Sequence, residues 1–286
     1  MSSKPLLLVP TFIIALCLYS CAGNKTTQST TATQTTSAST VDLASIKEEP
    51  VTYTADGQTM KGYVAYNDKV SGERPVVLVV HEWWGLNDYP RMRAKQLAQL
   101  GYFAMAVDMY GDGKIAATPQ EAMELTKPFY GNPGLFKTRL DAALAKVRDF
   151  NQADLSQAAA IGYCFGGSAV LNSAKLGADL KGVVSFHGGL AGAPANKELL
   201  KAKILVCHGG ADSFVPEAEV AAFKKSMDSI GADYKFKVYP GATHAFTNPA
   251  STETGKKFNM PIAYNGAADT ASWNDMKAFF VGIFKK

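Results

Sequence analysis

The sequence predicts an α/β fold, a mostly parallel sheet flanked by helices on both faces. Two observations predict it. Short apolar runs recur along the chain without alternating polar positions, the pattern of strands buried on both sides of a sheet. Between them lie stretches whose apolar residues repeat at helical spacing, which gives each parallel strand a crossover to return by. With 47% apolar and 19% charged residues in a chain of 286, there is material for one sizeable core. That composition excludes a wholly disordered chain.

The elements follow in order. Val51–Thr54 and Met60–Tyr66 flank Asp56-Gly57, a tight-turn pair, and read as a β-hairpin. The unalternating runs are Val76–Val80, Phe103–Val107, Ala158–Ile161, Gly182–Phe186, Ile204–Cys207 and Phe236–Tyr239. Met92, Leu97 and Leu100 precede Gly101, a residue suited to end a helix. Phe136, Leu140, Ala143, Leu144 and Val147 share a helical face, with Lys137, Arg139, Asp141 and Lys146 at intervening polar positions. Trp273, Met276, Phe279, Phe280 and Ile283 form a last amphipathic helix. No internal repeat and no second domain is visible.

The N-terminus reads as an address. Lys4 precedes apolar residues at 6–9 and 12–18, too short a stretch for a membrane span, and residues 1–20 are expected to be a signal peptide. Leu18-Tyr19-Ser20-Cys21 resembles the lipobox of bacterial lipoproteins, which implies that Cys21 carries acyl chains. Residues 21–42 then form a tether, since Asn24–Thr40 is almost all Thr, Ser, Gln and Ala with nothing large to bury. The folded domain is expected over 43–286, held at a membrane surface of the cell envelope and facing the periplasm or the exterior. The alternative is an ordinary cleaved signal and a soluble secreted or periplasmic protein. Lys4 and Lys25 are the only charges in the first 40 residues, which leaves 27 basic against 25 acidic residues beyond them. So balanced a domain is not built to bind nucleic acid.

The informative motif is Ile161-Gly162-Tyr163-Cys164-Phe165-Gly166-Gly167, between a strand-like run and the helix-compatible Ser168–Asn172. It is a nucleophile elbow with cysteine in the serine position: a strained strand-to-helix turn that presents one side chain, with Gly162 and Gly166 giving room. The dipole of the helix that follows favours a thiolate at Cys164. A thiol needs a base, and His244 lies in the loop after the last strand; Asp212 lies after the strand before it. The order Cys164, Asp212, His244 is the nucleophile–acid–histidine order of α/β-hydrolases. The bland alternatives are a small buried Cys in a Gly-rich turn and two solvated loop residues. His187 and His208 end strands but lack the spacing of a metal site, and cysteines 17, 21, 164 and 207 form no metal cluster. Neither a metal nor another cofactor is expected.

His81-Glu82-Trp83-Trp84-Gly85, Asp108-Met109-Tyr110, the Gly162–Gly167 elbow, Gly209-Gly210-Ala211-Asp212 and Gly241-Ala242-Thr243-His244-Ala245-Phe246 together resemble the dienelactone hydrolase family, from about Val51 to Phe284. The resemblance implies the α/β-hydrolase fold and a Cys164–His244–Asp212 triad that cleaves a small ester or lactone, as a carboxymethylenebutenolidase does. It implies that Glu82 contacts the resting thiol and helps deprotonate it, and that the backbone N–H groups of Trp83 and Phe165 form the oxyanion hole. The family's sheet order sets one strand between those ending at Cys164 and Cys207, so both are expected as free thiols. One departure matters. The family holds the carboxylate of its lactone with two arginines, whereas here Gly111–Lys137 has none and Thr247-Asn248 follow Phe246. Lys114 and Lys127 stand in that region without the fork of a guanidinium, which argues against dienelactone itself as substrate. Trp83, Trp84, Phe129, Tyr130 and Phe246 are candidates to line an apolar pocket. The rival readings are a thioesterase or peptidase of the same fold, or a surface binding module that turns nothing over. Oligomeric state is not legible.

Overall fold

The computed structural model describes residues 45–285. The expected signal peptide, Cys21 and the whole tether therefore lie outside the described residues. Eight strands form one sheet: β1 (Ile46–Ala55), β2 (Gln58–Asn67), β3 (Arg74–Val80), β4 (Phe103–Val107), β5 (Ala153–Tyr163), β6 (Gly182–Phe186), β7 (Lys203–Gly209) and β8 (Tyr234–Tyr239). Their spatial order is β1-β2-β4-β3-β5-β6-β7-β8. β1–β2 and β2–β4 pair antiparallel, and every pairing from β4 through β3 to β8 is parallel.

The helices are α1 (Asp88–Gln99), α2 (Pro119–Gly131), α3 (Gly134–Val147), α4 (Phe165–Lys175), α5 (Glu217–Ser229), α6 (Ser251–Phe258) and α7 (Gly266–Ile283). The pleat of β3 shows how they divide. Val76, Leu78 and Val80 point into a core shared with Phe136 and Leu140 of α3 and Val170 and Leu171 of α4. Val77 and Val79 point into a second core with Leu97 of α1 and Met276 and Phe280 of α7. Side chains alternate across a strand, so both faces must be apolar, and the runs read from the sequence are unalternating for that reason.

Two expectations need correction. Arg139 does not sit on a solvated helix face: it is buried and donates to the Ala55 carbonyl and to Gln58 Oε1, clamping the β1–β2 turn. β1 also begins at Ile46, five residues before the expected start. Its first residues pair with the end of β2 but lie at the sheet edge, where charge and Pro50 are tolerated and the apolar signal fades. Cys164 and Cys207 are free thiols at the ends of β5 and β7, with β6 between them.

The parallel strands run the same way, so the loops after β3, β5, β7 and β8 open at one edge of the sheet. That edge carries Glu82, Cys164, Asp212 and His244.

Candidate active site

β5 turns into α4 through Cys164 alone, whose backbone has φ +54° and ψ −116°, a strained conformation for a residue with a side chain. The flanking glycines are sterically obligatory. A Cβ on Gly162 would lie 2.0 Å from the Gly166 carbonyl oxygen, and one on Gly166 would lie 2.3 Å from that of Val80. Cys164 therefore stands on a sharp turn between two close backbone approaches.

His244 Nδ1 is 2.9 Å from Asp212 Oδ2, and the other carboxylate oxygen accepts the Phe214 N–H at 2.9 Å. An acceptor carboxylate at Nδ1 leaves the proton there and frees Nε2 for other work. Burial lowers the pKa of this imidazole, yet the charge and hydrogen bond of Cys164, with the Asp212 carboxylate, outweigh burial and raise it to about 10. The elbow, the imidazole and the carboxylate are brought together as the sequence order suggested.

Cys164, His244 and Glu82 share a cavity of about 280 Å³ whose wall is otherwise mostly apolar, with Trp83, Trp84, Tyr130, Phe214 and Met260. Among the described residues, neither a lysine nor an arginine lines it. Lys114 lies in a neighbouring surface groove instead. Of the expected aromatic lining, Phe129 and Phe246 are buried in the two cores. Glu82 is 3% exposed, and Asn248 Nδ2 donates to its Oε2 at 2.6 Å. Burial pushes its pKa up to about 7, against the opposing pull of Asn248 and of the His244 charge.

Phe165 opens α4, where a backbone N–H has no helical acceptor. The peptide that carries the Trp83 N–H is fixed through its carbonyl, that of Glu82, which accepts from His81 Nδ1 at 2.5 Å and from the Gly85 N–H at 3.2 Å. His81 Nε2 accepts the Met109 N–H, so Nδ1 carries the ring proton. Tyr110 donates to the Trp83 carbonyl and holds the next peptide, while Asp108 accepts N–H groups of Tyr110, Gly111 and Gly113 and shapes that loop.

Four contributors were missed from the sequence: His81, His187, Thr247 and Asn248. His187 was legible only as a weak metal candidate, and among the described residues no group of ligating side chains could hold a metal. Its position just past β6, one strand from the elbow, was the available signal. Asn248 was legible only as the residue standing where an arginine was expected.

Comparison with known proteins gives the family of the chain and the likeness of its fold. Residues 60–284 match the model of the dienelactone hydrolase family. Protein usf of Aquifex pyrophilus is 30% identical over 240 residues, covering 80% of this chain and 96% of that one. A protein of Aquifex aeolicus (strain VF5) with the provisional name carboxymethylenebutenolidase is 31% identical, covering 69% and 86%. Among solved structures, a dienelactone hydrolase-like promiscuous phosphotriesterase from metagenomic libraries superposes with a TM-score of 0.79 at 32% identity, over 84% of this chain and 100% of that one.

Proposed function

The chain belongs to the dienelactone hydrolase family, a family of hydrolases acting on ester and lactone bonds, and we propose that it works through a Cys164–His244–Asp212 triad on uncharged substrates. The observation that carries this reading is a thiol on a strained elbow, in one cavity with an imidazole whose far nitrogen is held by a buried carboxylate. In the proposed reaction His244 takes the Cys164 proton as sulfur bonds to the carbonyl carbon. The oxyanion that forms is met by the N–H groups of Trp83 and Phe165. Collapse breaks the ester C–O bond, and His244 returns its proton to the departing alkoxide. Water, deprotonated by His244, then attacks the thioester, and the acid leaves with Cys164 regenerated. Asp212 holds the imidazole tautomer and balances its charge throughout. The ionised form of Glu82, with a pKa near 7, is suited to relay that one proton, taking it from the thiol as substrate enters and passing it to His244.

The substrate class follows from the cavity wall. A carboxylate-bearing lactone needs a cation apart from the catalytic imidazole, and the described lining offers no lysine or arginine, whereas its tryptophans and Tyr130 suit an apolar acyl group. Hydrolysis of neutral aryl esters and lactones should exceed that of analogues bearing a free carboxylate by at least about tenfold in kcat/KM, roughly the worth of one unpaired charge. Preference for the carboxylate analogues would overturn the substrate claim. Failure to turn over any ester, lactone or thioester would favour a binding module instead.

A further inference from the structure

The nucleophile has a second histidine behind it. His187 follows β6 and is 1% exposed. Its Nδ1 accepts the backbone N–H of Cys164 at 3.1 Å, a proton shared with the Phe186 carbonyl at 3.0 Å. A ring nitrogen that accepts carries no proton, so the proton sits on Nε2, which donates to Thr247 Oγ1 at 2.7 Å. Thr247 is three residues beyond His244 and is fully buried. Its hydroxyl also meets the Tyr89 hydroxyl at 2.7 Å, and Arg93 donates both to that hydroxyl and to the Thr247 carbonyl. Arg93 is anchored in turn by Asp269 of α7 at 2.5 Å. The chain of hydrogen bonds thus runs from the elbow, through His187, into the loop that carries His244, and ends on α1 and α7.

The same stretch is strained. Cys164, His187 and Ala245 all have positive φ, at +54°, +42° and +57°. Backbones of this kind persist only where surrounding contacts over-determine them. The His187 ring also packs edge-on against the His244 ring, with centroids 5.3 Å apart. A second positive charge there would oppose the imidazolium that forms when Cys164 gives up its proton. Burial holds His187 well below the ordinary histidine pKa, with the His244 charge acting in the same direction. The neutral tautomer the hydrogen bonds require is therefore the one present.

We propose that His187 is the positioning residue of this site: a neutral imidazole that locks the Cys164 turn to the His244 loop by one hydrogen bond at each ring nitrogen. This rests on Cys164 and His244 acting together. One part of the test therefore reads the thiol without any ester substrate.

The dissection uses side-chain length. Asn at 187 places an acceptor near the position of Nδ1 and reaches no further; Gln places a donor near Nε2 and lacks the near acceptor. Thr247→Val removes the partner of Nε2, and Thr247→Ser keeps it. The rate of Cys164 alkylation by iodoacetamide should fall roughly tenfold or more in His187→Asn, His187→Gln and Thr247→Val, the loss expected when one fixed hydrogen bond of about 1.4 kcal/mol is removed. Ester kcat should fall alongside it with KM little changed, since no group lining the cavity is altered. Thr247→Ser should stay within about threefold of the natural protein. His187→Asn combined with Thr247→Val should be no worse than either alone, because both cut the same bond. In the natural protein the ¹⁵N resonance of His187 Nδ1 should remain that of an unprotonated acceptor from about pH 5 to pH 9.

Folded variants, checked by near-ultraviolet circular dichroism, that alkylate and turn over at the natural rate would overturn the proposal. So would additive losses in the double variant, which would mean two independent structural effects. If alkylation responds as described while no ester is hydrolysed, His187 keeps its role and the substrate reading fails alone.

Discussion

Glu82 shows at the scale of one residue how this site trades stability for chemistry. A carboxyl this buried is neutral in the folded state until about pH 7, while in the unfolded chain it ionises near pH 4.5. The folded state therefore binds the extra proton between those values, and stability falls as pH rises through that window. Above pH 7 the buried charge costs on the order of 3 kcal/mol. Glu82→Gln accepts the same Asn248 hydrogen bond without the charge. It should raise Tm by several degrees at pH 8, with the gain shrinking to nothing below about pH 4.5. Esterase activity should fall in the same variant. A thermal-melt series across pH checks this; a gain that persists at low pH would contradict it. The residues proposed to bear the reactive atoms could be named from the sequence because their motifs are local in it. Asn248, His187 and Thr247 were not, because each acts on a group far along the chain: Asn248 bonds a carboxylate 166 positions away. No single-chain pattern announces such a contact.

At the scale of elements, legibility followed burial. β3, β4 and β6 are buried almost throughout and were read to within two residues at each end. α2, α5 and α6 gave no signal because their buried stripes are thin. α2 buries only Ala122, Thr126 and Phe129 and contains Pro128; α5 buries Phe223 and Met227; α6 buries only Ser251 and Gly255. Tertiary packing, not an apolar face, holds helices of that kind. The elbow yields the sharpest test here. Gly162→Ala and Gly166→Ala each drive a methyl into backbone, so nothing flexible can yield. Each should cost roughly 3 kcal/mol or more, a Tm drop of about 6–12 °C, or prevent accumulation of folded protein. Gly57→Ala is the control: its φ is +71° but its Cβ would meet nothing within 4 Å, so only about 1–2 kcal/mol of backbone strain applies. Equal losses at Gly57 and Gly162 would show that the elbow is not sterically closed.

The whole molecule divides where the sequence changes character. Both cores are built from residues past Ile46, so protein beginning at residue 43 should melt at the temperature of the longer chain, by calorimetry. We propose that the first 42 residues supply only location, with Cys21 as the lipid anchor, on the strength of Leu18-Tyr19-Ser20-Cys21. Expressed with these residues in bacteria, the protein should sediment with membranes, and Cys21→Ser should release it or block its processing. Protein that is entirely soluble with Cys21 intact would remove the anchor.

The proposed function rests on Cys164 as the nucleophile, and one measurement addresses it directly. During turnover of a slowly deacylating activated ester, the intact mass should rise by one acyl group, and peptide mapping should place that group on Cys164. His244→Ala should acylate far more slowly, and Cys164→Ala should neither gain mass nor turn over. An acyl group mapped to another residue, or undiminished turnover by Cys164→Ala, would contradict the mechanism.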